Sequence, residues 1–305
     1  YGDATIIHRA CAVPDGFVSN YADCDDTNAD TYPNAVEICD EIDNDCDTFV
    51  DEDGALDVYH TRIGARGTGS FLLTGGIHDA GWMSLGYYST GVGTYTLADG
   101  LLNHTYGTIG RYGTGIFVQN GGTFDAGTDL TLGEETGSSG QYSLNGGTLS
   151  GRTTVGEDGT GVFLQTGGAH NLTGKSLTVG GGTGTGQYTL EAGDLVAKIE
   201  SVGAGSSFTQ TGGSNSTEWY TSVSGSYRLE GGTLDSRITG SGDFVIDGGT
   251  ASPDHSLSIG NLTIGDAGTA AHSQNAYTTV SSNFVLGNLD GSSGSFTQGS
   301  GNVTV

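Results

Sequence analysis

The sequence predicts an all-β protein: a right-handed parallel β-helix (a β-solenoid) with coils of about 23 residues, preceded by a small disulfide-rich module. Three observations predict it. An aliphatic residue directly before glycine recurs every 23 or 24 residues, an aromatic residue recurs at a similar spacing, and all four cysteines lie within the first 50 residues. A fixed period of this length indicates stacked repeats, because one unit cannot bury its apolar face without a neighbour.

Equivalent residues of the repeats should stack in columns, with one residue per coil. The aliphatic residues are Leu85, Ile109, Leu132, Val155, Val179 and Val202. The aromatic residues, in which Phe and Tyr alternate, are Phe71, Tyr95, Phe117, Tyr142, Phe163, Tyr188, Phe208, Tyr227 and Phe244. Most Phe coils carry Gln two residues after the ring (Gln119, Gln165, Gln210), where the Tyr coils carry Leu. We therefore expect bulk to alternate in the core and buried Gln amides to pair along the stack.

Each repeat is predicted to form three short strands. In one repeat the alternating side chains of residues 140–144 predict the first strand, and the glycines at 146–147 predict a sharp corner. Residues 148–149 and 153–155 are then the second and third strands. No segment has a helical apolar period with capping residues, and this density of glycine would break helices.

Composition excludes several classes of protein. Only 9 residues are Lys or Arg, and the formal net charge is −26. A nucleic-acid interface needs a basic surface, so we expect no nucleic-acid partner. No apolar run approaches the roughly 18 residues that span a bilayer, so we expect no membrane insertion. The sequence starts at Tyr1, and Met83 is the only methionine, so we expect it to be a processed or cropped chain without its signal peptide.

The chain divides into two predicted domains. Residues 1–60 form an acidic, cysteine-rich module, and residues 61–305 carry the glycine-rich repeats. The module contains 16 of the 35 acidic residues and all the cysteines: Cys11, Cys24, Cys39 and Cys46. An even number of cysteines in a short segment favours two disulfides and an oxidising compartment over a zinc site.

The acidic module also predicts a metal site. Carboxylates at alternate positions converge when the chain curls, as they do in EF-hand loops. Asp43, Asp45 and Asp47 would be the first ligands, followed by the carbonyl of Phe49 and by Asp51. A second cluster (Asp23, Asp25, Asp26, Asn28) would add ligands or form a second site. A set of oxygen ligands with this charge favours Ca²⁺ over Mg²⁺. A solvated acidic run is the alternative.

Two resemblances to known families follow from these motifs. The pattern Gly-x-[Phe/Tyr]-x-[Leu/Gln]-x-Gly-Gly-Thr, followed by Leu-Thr-[Val/Leu]-Gly, resembles the short repeat of autotransporter passenger domains and of bacterial exosortase-sorted surface proteins. It covers residues 66–250 well and residues 251–305 loosely. This resemblance implies a secreted parallel β-helix, and it specifies architecture and export better than activity.

The acidic module resembles the MopE-type metal-binding motif of secreted bacterial proteins over about residues 11–53. The matching residues are Cys11, Pro14, Gly16, Val18, residues 23–28, Pro33, Ala35, Glu37, Cys39, Asp40, residues 43–47, Asp51 and Glu52. The order of the motif implies the disulfides Cys11–Cys24 and Cys39–Cys46, although the sequence alone permits three pairings. The family name indicates copper, but only His8 lies near the motif, so we expect calcium. Residues 1–3 resemble the tail of a segment that precedes such motifs, which suggests a longer chain.

These features predict a secreted structural or adhesive protein at the bacterial cell surface, not an enzyme. Residues 296–305 repeat the aromatic-Gln motif without a polar cap, so we expect either a longer chain or self-association into a filament. Surface glycans are further expected partners. The alternatives are a polysaccharide-degrading lyase or hydrolase, which needs a groove with a carboxylate pair or a basic residue, and a monomeric carbohydrate-binding adhesin.

Overall fold

The computed structural model describes residues 55–305, with the backbone alone for residues 55–57, together with Cys24, Asp25, Asn28, residues 31–33 and Cys46. Within this part the chain winds through about 11 coils of an all-β parallel β-solenoid and forms no helix. These residues accordingly include no helix long and apolar enough to cross a membrane. The predicted parallel β-solenoid is confirmed.

The strands are short, and those that pair do so in parallel with the equivalent strands of neighbouring coils. Their bounds are β1 Ala55–Ile63, β2 Thr68–Leu73, β3 Ile77–Leu85, β4 Val92–Leu97, β5 Leu101–Ile109, β6 Thr114–Gln119, β7 Thr123–Leu132, β8 Ser139–Leu144, β9 Thr148–Val155, β10 Thr160–Gln165, β11 Ala169–Val179, β12 Thr185–Leu190, β13 Asp194–Val202, β14 Ser207–Gln210, β15 Ser214–Val223, β16 Ser226–Leu229, β17 Thr233–Asp235, β18 Ile238–Gly240, β19 Asp243–Ile246, β20 Thr250–Ala251, β21 Leu257–Ile264, β22 Thr269–Gln274, β23 Thr278–Leu286, β24 Ser293–Gln298 and β25 Val303–Thr304.

The aromatic residues form one continuous column inside the solenoid, as predicted. From Phe71 to Tyr227 the rings of successive coils stack, with centroids 4.5–5.1 Å apart. Tyr227 then meets Phe244 edge to face at 5.6 Å. The spacing equals that between neighbouring strands, so stacking and backbone hydrogen bonding require the same rise per coil.

The aliphatic column is confirmed as well. Leu85 pairs in register with Ile109, and the column continues through Leu132 and three valines to Val202. All six side chains are buried, with at most 1% of their surface exposed. The core is therefore built from vertical columns of like residues.

The predicted second and third strands are one continuous strand in most coils. Strand β9 runs through both predicted segments, and the register of β7 against β9 shifts between Asp125 and Asp129. Such a bulge bends the strand without ending it, so the corner lies inside the strand. Only later do the segments separate, as in β17 and β18.

Two glycines per coil are needed for the coils to approach one another. Gly133, after the aliphatic Leu132, has a φ of +65°, and a Cβ there would lie 2.3 Å from the carbonyl oxygen of Thr160. Gly140 lies at an inward-facing position of its strand. A Cβ added there would lie 2.0 Å from the carbonyl oxygen of Ile109. The glycine-rich pattern thus reflects backbone packed directly on backbone.

The expectation that Gln amides pair with each other is wrong. Gln119 lies in register with Leu97 and Leu144, so successive glutamines are two coils apart, about 9.6 Å, which exceeds the reach of an amide hydrogen bond. Each Gln instead accepts a hydrogen bond from the Tyr hydroxyl of the next coil. The distances are 2.7 Å for Tyr188 to Gln165 and 2.8 Å for Tyr227 to Gln210.

The alternation of Phe and Tyr is therefore explained by hydrogen bonds between adjacent coils. A buried tyrosine hydroxyl needs a partner, and the preceding Phe coil supplies it through Gln. The amide of the same Gln donates to two backbone carbonyls; for Gln119 these are Thr148 O at 3.0 Å and Gly122 O at 3.3 Å. Where the preceding coil has Leu73 in place of Gln, the hydroxyl of Tyr95 contacts Nδ1 of the buried His78 at 2.9 Å.

Candidate metal-binding module and lateral groove

Cys24 and Cys46 are joined in a disulfide, with their Cα atoms 5.5 Å apart. The backbone amide of Cys24 also donates to Sγ of Cys46 at 3.0 Å. The expected pairing of Cys24 with Cys11 and of Cys46 with Cys39 is therefore wrong; Cys11 and Cys39 lie outside the described residues. The order of cysteines misleads because a disulfide requires only that two Cα atoms come within about 4.4–6.8 Å, wherever they lie in the chain.

Two of the predicted metal ligands, Asp25 and Asn28, are among the described residues. The amide of Asn28 donates to the carbonyl of Asp25 at 3.0 Å, and the amide of Thr31 donates to the carbonyl of Asn28 at 3.2 Å. These two successive turns leave Asp25 and Asn28 half-buried and Thr31 buried. The other predicted ligands lie outside the described residues: Asp23, Asp26, Asp43, Asp45, Asp47, Phe49 and Asp51.

The observed disulfide joins the two predicted ligand clusters directly. Cys24 lies in the first cluster and Cys46 in the second, and neighbouring residues of a chain have Cα atoms about 3.8 Å apart. Both sulfurs are consumed in the bond, so among the described residues of the module Asp25 and Asn28 are the predicted ligands with side-chain oxygen donors. The described residues alone hold no group of three or more His, Cys, Asp or Glu that could bind a metal.

A second candidate site lies on the side of the solenoid, in an open groove of about 350 Å³ that we call the lateral groove. It crosses several coils where the outer residues of the long strands face solvent. An outer column supplies Trp82, Tyr106, Asp129 and Arg152; a hydroxyl column supplies Thr108, Thr131, Thr154 and Thr178; and the rim carries Glu134 and Glu157.

The groove is predominantly acidic. The Asp129 carboxylate accepts two hydrogen bonds from the Arg152 guanidinium, one of them 2.8 Å long. Burial raises the pKa of the Glu134 carboxyl, although Arg111 at 3.3 Å acts against the shift. Burial also raises the pKa of Glu157, and nearby carboxylates such as Asp158 and Asp129 add to the rise.

Sequence reasoning did not find the lateral groove. The aliphatic and aromatic core columns repeat one residue type in every coil, whereas the outer column changes from Trp82 to Tyr106 to Asp129 to Arg152. The available signal was the spacing: these four residues recur every 23 or 24 positions, immediately after each bend of the long strand.

Comparison with known protein families identifies a motif in the acidic module. Residues 23–52 match the Cu-binding MopE family model, which describes a metal-binding motif. No curated protein and no solved structure matches the chain. The match covers 30 residues and contains Asp25, Asn28 and both disulfide-bonded cysteines. The N-terminal module of this β-solenoid therefore carries a metal-binding motif.

Proposed function

We propose that the chain is a secreted structural or adhesive protein of a bacterial surface, and that it forms filaments by end-to-end stacking of calcium-stabilised β-solenoids. The observation that carries the proposal is the unbroken internal column of stacked rings from Phe71 to Tyr227. One unit repeated without interruption produces length and stiffness, which suits a scaffold. The disulfide and the resemblance of the repeats to those of exported proteins support an extracellular location.

The parallel ladder supports end-to-end assembly. Each coil pairs with the previous coil through one set of backbone groups and presents an equivalent, separate set to the next, so a coil of another copy could extend the ladder. The last described coils also leave Leu286 and Val303 exposed, at 47% and 40%. A coil of a second copy stacked there would cover them.

Calcium is the proposed ion because of the donor set. The disulfide holds two carboxylate-rich segments together, and a bound divalent cation relieves the repulsion between them. The side chains that would hold it are those of the two predicted clusters: Asp43, Asp45, Asp47 and Asp51, with Asp23, Asp25, Asp26 and Asn28. The ion would contribute a fixed positive charge that stabilises the module.

Electron microscopy and light scattering of the full-length protein test the proposal. We expect rods of constant width, many times longer than one solenoid, in calcium, and shorter particles after chelation. A monodisperse monomer in both buffers, at every protein concentration tested, would refute the filament. Assembly that is identical with calcium and with chelator would remove the role of the ion.

A polysaccharide-degrading enzyme is the second candidate, and one observation favours it. Glu134 and Glu157 line the same groove, and burial raises the pKa of both, as a general acid requires. We prefer binding without cleavage because Glu134 already pairs with Arg111. Incubation with neutral and acidic polysaccharides should release no reducing ends above those of the Glu134→Gln variant; release by the wild type alone would establish the enzyme.

A further inference from the structure

Two large aromatic side chains lie outside the core without a structural need. Trp82 and Tyr106 are 43% and 38% exposed, and they occupy equivalent positions on adjacent coils. Their rings stack with centroids 4.6 Å apart. The core columns are complete without them, so their exposed surface is a cost that folding does not explain.

The stacked pair forms the wall at one end of the lateral groove. Trp82 covers one face of Tyr106, and the next coil in the column carries Asp129 in place of a ring. The second face of Tyr106 therefore meets no ring of the next coil, and Tyr106 lines the groove. A flat aromatic face at the end of an open, polar groove suits a ligand with an apolar face and a polar edge.

The floor and rim supply hydrogen-bonding groups at regular intervals. Thr131, Thr154 and Thr178 are in register on consecutive coils, about 4.8 Å apart, and residues 55–305 provide no hydrogen-bond partner for their side chains. Glu134 and Glu157 lie at equivalent positions of adjacent turns, and their ionised carboxylates act as hydrogen-bond acceptors only. The groove thus offers acceptors and hydroxyls in a row along the axis.

The charges of the groove restrict the ligand. Three carboxylates line it, and the two nearby cations, Arg152 and Arg111, already pair with Asp129 and Glu134. Phosphate, sulfate or uronate groups would be repelled, and an apolar protein partner would strip water from the carboxylates without replacing their hydrogen bonds. A neutral sugar has C–H faces for the ring and many O–H donors for the carboxylates.

We infer that the lateral groove binds a neutral polysaccharide chain, with one sugar ring against Tyr106 and its neighbours along the threonine column. This activity goes beyond the scaffold role, and it does not depend on filament formation. It would attach the side of each rod to a glycan matrix.

The test uses the full chain and a panel of neutral hexasaccharides: cellohexaose, laminarihexaose, mannohexaose and chitohexaose. The chain has two tryptophans, so Trp219→Phe leaves Trp82 as the only indole reporter. We expect at least one sugar to change the Trp82 emission in a saturable manner and to give the same affinity by calorimetry. Trigalacturonate and hexagalacturonate, as anionic probes, should bind more weakly.

Variants locate the site. Tyr106→Ala should weaken binding of that sugar at least tenfold, and Thr154→Val severalfold. The matched control Tyr277→Ala, which removes a tyrosine that is 65% exposed on a distant coil, should change the affinity less than twofold. Thermal unfolding confirms that each variant is folded, and Tyr106→Leu serves if the alanine variant is not. Absence of binding by all four sugars, unchanged affinity of the folded Tyr106 variant, or tighter binding of the anionic probes would each overturn the inference.

Discussion

Tyr142 buries its whole phenol ring, and its hydroxyl donates to the side-chain oxygen of Gln119 in the preceding coil. Among the described residues this hydroxyl has no second hydrogen-bond partner. The pair shows how a core of stacked rings tolerates polar atoms: each is satisfied by the neighbouring coil. A buried hydroxyl without a partner costs about 1–3 kcal/mol.

A double-mutant cycle tests this pair. Gln119→Leu should lower the free energy of unfolding by about 2 kcal/mol because it leaves the Tyr142 hydroxyl unpaired. Tyr142→Phe in the same background should cost little or restore part of the loss. Chemical denaturation of the wild type, both single variants and the double variant gives the coupling, which we expect to be about 1–3 kcal/mol. Additive single effects would show that the hydrogen bond contributes nothing.

Glu200 is an acidic side chain that is buried in the core of the solenoid. Asn215 donates to its Oε2 at 3.1 Å and Thr221 at 3.3 Å, while Oε1 has no partner among the described residues. Burial raises the pKa of Glu200 to about 7, against the opposing effect of these hydrogen bonds. The native state therefore favours the protonated carboxyl.

The sign of the pH dependence follows. The unfolded chain has the ordinary glutamate pKa of 4.5 and the folded chain about 7. The stabilising contribution of the proton is thus complete below about pH 4.5 and is lost as the pH rises towards 7, a change of about 3 kcal/mol. Glu200→Gln should remove this dependence and make the protein more stable than the wild type at pH 8. Denaturant unfolding at pH 5 and pH 8 measures it, with the exposed Glu191→Gln as the control; parallel losses in wild type and variant would contradict it.

At the scale of elements, the disulfide constrains the acidic module. Cys24 and Cys46 are 22 residues apart in sequence. Without the bond, a metal ion would itself have to close this loop against chain entropy, a cost of about 2–4 kcal/mol. The predicted ligands would then be preorganised only in the oxidised protein.

Calorimetric titration of the full chain with Ca²⁺ tests this coupling. The Cys24→Ser/Cys46→Ser variant should bind calcium at least tenfold more weakly than the wild type, and circular dichroism should show an intact solenoid in both. Asp45→Asn should also weaken binding because it removes one carboxylate. Equal affinity of the oxidised wild type and the serine variant would show that the disulfide does not contribute to calcium binding.

Elements differ in how well the sequence predicts them. Leu85 could be placed in the core because its residue type recurs in coil after coil, whereas Trp82, three residues earlier, belongs to a column of changing types. The partner of Gln119 was not predictable from its own period, because the partner is a tyrosine of the intervening coil. The pairing of Cys24 depends on the path of the chain in space, which no repeat constrains.

The merging of two predicted strands has a related cause. Residues 148–149 and 153–155 were expected to form separate strands, but parallel ladder pairing on both sides of the bend keeps β9 continuous. The local sequence indicates where the chain bends. Pairing with the neighbouring coils determines whether the strand ends at that bend.

At the scale of the whole molecule, the solenoid of residues 55–305 is a rod, and the full sequence is strongly acidic. About 11 coils at about 4.8 Å each give a length on the order of 50 Å. The sequence carries a formal net charge of −26, and its 9 basic residues are spread along the chain. Two copies approaching end to end therefore repel each other, and any assembly must overcome that repulsion through ladder hydrogen bonds and apolar contact.

Salt should consequently promote assembly. The screening length falls from about 30 Å at 0.01 M to about 10 Å at 0.1 M ionic strength, so repulsion between rods weakens over this range. At constant protein and free calcium, light scattering should rise as sodium chloride increases from 0.01 to 0.3 M and then level off. At matched ionic strength, added calcium should raise scattering further because it neutralises carboxylates of the module. A decrease of scattering with salt would show that ion pairs, and not continuation of the ladder, hold the rods together.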